Sequence, residues 1–330
     1  MRFVSRKPAP CFVAGLLVLV VTTPLYPAQQ EQAAKWPEKP VRMVVATAPG
    51  GGDDFVTRLL APKLSELLRQ PFVVENRPGA GGMIGQTLVA KSQPDGYTWL
   101  LAGGSMAGAR YVNAAVTYDV LRDFTPVSLL ETSQFVMVVH PSVPARNLKE
   151  YVALARTQPG KMTFGTLGAG QIPYWSAILF NNMAGIKAVE VAYKGFAEAI
   201  SDVLGGRVDY YFAPSSTAVA YRDRLRALAV TSLKRSPAMP EVPTMAEAAL
   251  PGYDMPAWRS IMGPAGVRQE VALSLNRAIA RALEMPDVRE KMATVGSEPA
   301  PSTPEELSKR YVDCMERFGQ IAKRAGIKPQ

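Results

Sequence analysis

Histidine and cysteine, the side chains that carry most metal and nucleophile chemistry near neutral pH, are almost absent. The 330 residues hold one histidine and two cysteines. A single histidine, His140, cannot build a His-rich metal site. It is followed by Pro141 in the loop-like HPSVP and reads as a surface residue; no nucleophile-elbow pattern accompanies it to suggest a Ser–His–acid triad. Cys314 lies in a charged helical pattern with no CxxC partner and reads as structural. Also missing are the phosphate loops: APGGGDD lacks the Gly-Lys-Ser/Thr of a P-loop, and GAGGMIG is out of register with GxGxxG. No cofactor is expected. These absences argue against an enzyme, and only carboxylate-based chemistry stays open. Long runs of one charge are lacking too. Lys and Arg number 37 against 28 Asp and Glu, but they are interspersed, so the basic balance reads as a solvated surface with no nucleic-acid partner.

The first thirty residues differ from the rest. Arg2, Arg6 and Lys7 precede an uncharged apolar run from Phe12 to Val21, followed by small and polar residues. This reads as a cleavable secretory signal peptide over residues 1–28, with Ala28 the preferred cleavage point and Ala33 or Ala34 the alternatives. The run is short for a membrane span. Removing it lowers the formal charge from +9 to about +6. It also removes Cys11, so no internal disulfide is possible and the fold must rest on its core. No later segment approaches spanning length, and the expected location is the periplasm.

The remainder, with its scattered 28 Pro and 26 Gly, alternates between strand and helix patterns. VRMVVA (41–46) predicts a buried strand. A helix follows, with Leu60, Leu64 and Leu67 on one face and Pro62 expected to kink or end its first part. Phe72–Val74 and TWLLA (98–102) are further strands, and Met83–Ser92 is a helix. This opening βαβαβ predicts a parallel sheet with covering helices. FVMVV (135–139) is another strand, and HPSVPARN reads as a crossing into a second unit. That unit repeats the alternation, with strands near 162–165, 188–192, 208–212 and 225–230. SPAMPEVP suggests the return, and three helices close the chain, the clearest carrying Val271, Leu275, Ile279 and Leu283. The expected class is α/β: a two-lobed binding protein with a cleft between the lobes. Lobe 1 spans 36–138 plus 236–330, and lobe 2 spans 139–235.

Two loops share one physical design. Thr47–Asp53, with Pro49, Gly50, Gly51 and Gly52, links a strand to a helix start. So does Gly165–Gln171, with Gly168, Ala169 and Gly170. Glycines let backbone N–H groups turn toward a ligand, and a helix N-terminus adds orphan donors and partial positive charge. Such a pair can grip a carboxylate without Arg or Lys; two ordinary βα turns are the bland alternative. Tyr193-Lys194-Gly195 occupies a third strand-to-helix junction, where Lys194 faces either an anion or solvent. Trp258 is either a cleft wall or a core residue, and Tyr174 or Trp175 offers a ring for a flat ligand.

In order along the chain, WPEKPVRMVV, PGGGDD, VVENRPGAGGMIG, AKSQPDGYT, DFTPVSLL, HPSVPARNLKE, PGKMTFGTLGAGQIP, AYKGFAEAISDVLGGRVD, LRALAVTSLKRSPAMPEVPTMAEAALPGY and AGIKP resemble the tripartite tricarboxylate transporter receptor family, also called TctC- or Bug-type solute-binding proteins. The resemblance covers nearly all of the mature chain. It implies two α/β lobes of the type II periplasmic binding fold. It also implies a receptor, not an enzyme, that hands a small carboxylate to membrane permease subunits. The ligand loops it implies are Pro49–Asp54 and Gly168–Pro173, with Tyr193-Lys194-Gly195 nearby. The expected partners are a small organic acid (a di- or tricarboxylate, an amino acid or an aromatic carboxylate) and the permease, the receptor itself being a monomer. Two readings from other classes stay open: a carboxylate-based hydrolase or isomerase on an α/β scaffold, and a sensor that presents ligand to a membrane kinase.

The sequence departs from the family pattern at two places. Asp54 matches the family's acid, but Asp53 stands where the family has a hydroxyl or small residue. A second carboxylate about 6 Å from a bound one costs roughly 2–3 kcal/mol at an effective dielectric near 20. Asp53 is therefore expected to turn away as a helix cap, the alternative being a ligand with a cationic or donor group. Tyr174-Trp175 replaces the family's His and small aliphatic, which favours an aromatic acid.

Overall fold

The computed structural model describes residues 36–330, together with Met1 and Phe3. The expected signal peptide otherwise lies outside the described residues. The chain opens with Val41–Val45 (β1), Gly52–Leu68 (α1), Phe72–Asn76 (β2), Met83–Ala90 (α2), Thr98–Gly103 (β3) and the short Gly104–Gly108 (α3). Here β1 lies between β2 and β3, parallel to both. Leu60 and Leu64 of α1 are buried as their spacing predicts. The helix, however, continues past Pro62 to Leu68 instead of ending there. Pro62 and Arg58 are both exposed, so the Arg58 carbonyl that loses its helical donor is left to water.

Phe124–Ser133 (β4) and Phe135–Val139 (β5) follow, separated only by Gln134. β4 joins the first sheet, whereas β5 pairs antiparallel with strands of the second. The crossing is thus at Gln134, not at HPSVPARN, and the second sheet takes Phe135–Val138, which the sequence reading left in lobe 1. The reason is the strand's all-apolar character: Val136, Met137 and Val138 are buried on both faces, as a central strand requires.

The second sheet is completed by Thr163–Thr166 (β6), Val189–Ala192 (β7), Tyr210–Pro214 (β8) and Arg226–Val230 (β9). Its helices are Leu148–Arg156 (α4), Ile172–Ala184 (α5), Phe196–Leu204 (α6) and Ser215–Ala220 (α7). The return carries Met245–Ala248 (α8) and leads into Ala257–Pro264 (β10), which inserts antiparallel between β3 and β4. Gln269–Glu284 (α9), Pro286–Thr294 (α10), Ser297–Pro299 (β11) and Pro304–Ala325 (α11) close the chain.

The sheet orders are β11-β4-β10-β3-β1-β2 and β7-β6-β8-β5-β9. Each contains three parallel strands in the order second-first-third, then an antiparallel strand that arrives from the other sheet. The opening βαβαβ is parallel as expected, but each sheet as a whole is mixed, because β10 and β5 are exchanged between units and pair antiparallel with their neighbours. One face of the first sheet packs Val41, Met43 and Val45 against α1 and against Val271, Leu275 and Ile279 of α9. A second apolar cluster runs continuously from Leu100 and Leu129 of the first sheet through Trp175, Tyr311 and Phe318 to Phe164 and Tyr210 of the second. Among the described residues no helix is long and apolar enough to cross a membrane.

Candidate functional site

In each sheet the chain leaves the first parallel strand for one side and returns on the other. The crevice beyond the carboxyl ends at that reversal is where open α/β sheets bind ligands. The reversals fall between β1 and β3 and between β6 and β8. The two glycine loops follow β1 and β6, so both stand at such a point.

The loop after β1 is held from below. Asp54 is 4% exposed. Its carboxylate accepts from Arg58 Nε at 2.9 Å, Asn76 Nδ2 at 2.9 Å and the Gly50 N–H at 2.9 Å. The Arg58 hydrogen bond, aided by those from Gly50 and Asn76, outweighs burial and lowers the Asp54 pKa from 3.8 to about 2. Asp54 thus anchors the loop and consumes the Gly50 donor. Because the folded-state pKa is depressed, this stabilisation is complete above about pH 4 and is lost as pH falls toward 2. Acid titration of Asp54→Asn should show a shallower loss of stability than wild type across that window; equal slopes would mean the carboxylate contributes nothing.

Asp53 is not a cap. The N-cap of α1 is Gly51, in extended conformation, and no side chain caps it. Asp53 lies in the first helical turn, where negative charge is favoured. Its Oδ1 accepts from Arg259 Nε at 2.6 Å and its Oδ2 from Thr47 Oγ1 at 3.2 Å. Arg259, on β10, also donates from Nη1 to Glu131 of β4 at 2.5 Å. Glu131 is wholly buried, and its Oε2 has no donor among the described residues. The ion pairs with Glu131 and Asp53 outweigh the desolvation of Arg259 and raise its pKa further. The guanidinium is seated closely on Gly52: a Cβ there would stand 2.5 Å from Arg259 Nη2 and would have to displace it. An arginine thus stands behind this loop, engaged by Asp53 and Glu131. Arg259 and Glu131 leave no local signal, because each is a lone charge in a strand of mixed composition and their pairing spans 128 residues.

The loop after β6 places Gly168 at φ 96° and Gly170 at φ 95°, a region costly for other residues. The Gly168 N–H donates to Thr166 Oγ1, which donates to Glu190. Ala169, Gly170 and Gln171 face the first sheet. With Gly81, Gln86, Ser105, Ala109, Val112 and Tyr118 they line a cavity between the two sheets of about 30 Å³. Gln86 Oε1 accepts from Tyr118 Oη at 2.7 Å at its edge. Gly81 comes from the Ala80–Gly82 turn after β2, Gln86 from α2 and Ser105 from α3 after β3. The signal in the sequence for this wall is GAGGMIG, whose glycines do not fit a nucleotide motif but do form this turn.

The other sequence-predicted residues fall elsewhere. Trp258 is 4% exposed, edge-on to Tyr311 with ring centroids 4.8 Å apart, and belongs to the core. Tyr174 and Trp175 are also buried, at 7% and 0%. Trp175 lies against Phe318 of α11 with centroids 4.7 Å apart, so neither ring is presented to a ligand and the argument for an aromatic acid falls. Tyr193 donates its hydroxyl to Asp202; burial and that bond push its pKa up to about 12. Lys194 is exposed, and Gly195 caps α6. None of these lines the cavity between the sheets, and neither does any residue of Pro49–Asp54. Cys314 is buried enough that its thiol is pushed up to about 12.

A larger cavity, about 180 Å³, lies at the opposite end of the second sheet, beside His140, Ser142 and Asp209. There His140 Nδ1 takes the Ser142 N–H, and Asp209 accepts from Thr163 N and Oγ1. It lacks converging βα loops, and the site is better placed between the sheets.

Two mixed sheets that exchange one strand each, with glycine loops at both reversal points, define a two-lobed binding protein of the periplasmic type. Residues 56–327 match the family model described as tripartite tricarboxylate transporter family receptor, and the chain belongs to that family. It is 35% identical over 300 residues to protein BugT of Bordetella pertussis, covering 90% of this chain and 92% of BugT. Among solved structures it is similar to Rpa4515 of R. palustris with adipate, at 33% identity and TM-score 0.81, covering 89% of this chain and all of that one. It is likewise similar to the periplasmic binding protein BugD, at 31% identity and TM-score 0.79, covering 89% and 100%. The family is one of solute-binding receptors, not enzymes.

Proposed function

We propose that this chain is a periplasmic receptor that closes two lobes on a small organic carboxylate, carries out no reaction on it and delivers it to a membrane permease. The observation that carries this reading is the placement of both glycine loops at the reversal points of the two sheets. One lobe carries the first sheet and the other, residues 135–230, the second. The N-termini of α1 and α5 supply unpaired N–H donors and partial positive charge for a carboxylate. The Ala80–Gly82 turn and Gln86 form the opposing wall. A void of about 30 Å³ holds a water, not an organic acid, so ligand entry requires the lobes to part around Gln134 and the 231–256 return. Binding without turnover is supported by the acids at the site: Asp53 and Asp54 are both committed to arginines. Adipate in the similar Rpa4515 structure supports a carboxylate ligand, and the family's transporter supports the permease as partner.

A thermal-shift screen of the mature chain against organic acids and amino acids tests this. A ligand at a hundred times its Kd adds about 2.7 kcal/mol of stability. No shift with any carboxylate would overturn the reading, and turnover of a hit, followed by mass spectrometry, would replace the receptor with a hydrolase or isomerase.

A further inference from the structure

We infer that Asp53, Arg259 and Glu131 form a charge filter that makes this receptor select monoanionic carboxylates over dianionic ones. The inference rests on the site proposed above and deepens it. Two carboxylates, Asp53 Oδ1 and Glu131 Oε1, bracket one guanidinium at 2.6 and 2.5 Å, so the group carries a net charge of −1. That charge is fixed in place. Arg259 pairs in register with Glu131 on β4 and Gly103 on β3, and Glu131 is wholly buried with Oε2 unpartnered. It also lies directly behind the loop after β1, because Arg259 Nη2 is seated against Gly52 at the N-terminus of α1.

A ligand carboxylate at this loop meets opposing influences. The helix N-terminus and the free Nη2 donors attract it, while the excess carboxylate sets the limit on total negative charge. One carboxylate is accommodated by N–H groups that have no other partner. A second anionic group within a Debye length adds repulsion from the net −1, and the nearby cations are committed elsewhere: Arg58 to Asp54 and Arg110 to Asp119, while Lys194 is exposed on the other sheet's edge. An uncharged far end, or one bearing a hydroxyl or ammonium donor, escapes that repulsion. The ligand class is therefore a carboxylic acid with a neutral, hydroxylated or amino-bearing remainder.

Hexanoate and adipate, which share a six-carbon chain and differ by one carboxylate, are the probes, titrated calorimetrically into wild type, Asp53→Asn, Glu131→Gln and the double variant. Wild type should bind hexanoate more tightly. Asp53→Asn should raise the adipate-to-hexanoate affinity ratio about tenfold, as expected for removing one partly screened charge. The double variant, with Arg259 uncompensated, should prefer adipate. A purely structural role would weaken both acids alike and leave the ratio unchanged, which overturns the filter, as does a wild type that already prefers adipate. If wild type binds neither these nor any other acid, the receptor reading itself fails, a distinct outcome.

Discussion

Replacing Arg259 with glutamine should cost about 3–5 kcal/mol of folding stability, among the largest single-site losses expected in this protein. The reason is not the worth of the ion pair but what its loss leaves behind. Glu131 has no exposure, and among the described residues its only charged partner within salt-bridge distance is Arg259. Stranding a buried carboxylate is strongly destabilising, whereas replacing a buried pair by neutral groups is often close to neutral. Adding Glu131→Gln to Arg259→Gln should therefore restore most of the loss. Urea denaturation of the two single variants and the double variant measures this. A loss under about 1 kcal/mol for Arg259→Gln, or no rescue by the second change, would show that Glu131 is hydrated or protonated in the folded chain.

The second large effect is expected at Trp175. It is fully buried and joins α5 of the second sheet to Phe318 of α11. Its Nε1 packs so closely on α3 that a Cβ at Gly108 would approach within 2.6 Å of it. Trp175→Ala should cost about 3–5 kcal/mol through lost burial and a cavity that neighbours on two different sheets cannot collapse to fill. Trp175→Phe should cost less than half as much. The indole N–H has no acceptor among the described residues, so removing it gives back a desolvation penalty. Equal losses for the two variants, read from the same denaturation curves, would mean that the N–H is satisfied and that its hydrogen bond outweighs ring packing.

The two residues illustrate what is legible in a sequence and what is not. In the sequence, Trp175 reads as a stacking surface. Its position after a glycine loop suggested a pocket, and nothing local says that α11, over a hundred residues later, covers it. Asp53 was recognised as an excess charge that needs a partner. The nearest answer along the chain was a helix cap, and the partner the fold supplies is 206 residues away. β4 and β10 were missed as strands for the same reason that their charges were missed. FTPVSLLETS and AWRSIMGP carry Pro, Ser, Glu and Arg in place of an apolar run, and a charge inside a strand is stable only beside its counter-ion on the neighbouring strand.

Local sequence alone determined the alternation of strands and helices, the placement of both glycine loops at strand-to-helix junctions and the poverty of nucleophiles and metal ligands. Each of these depends on residues within about ten positions of one another, through hydrophobic periodicity, backbone freedom at glycine and helix-end donors. The tertiary structure alone decided that β5 and β10 change sheets, that Trp258 and Trp175 are core, and that the loop after β1 has an arginine behind it. Those outcomes are set by pairings between distant segments, where the gain from covering an apolar face or neutralising a buried charge outweighs local preference.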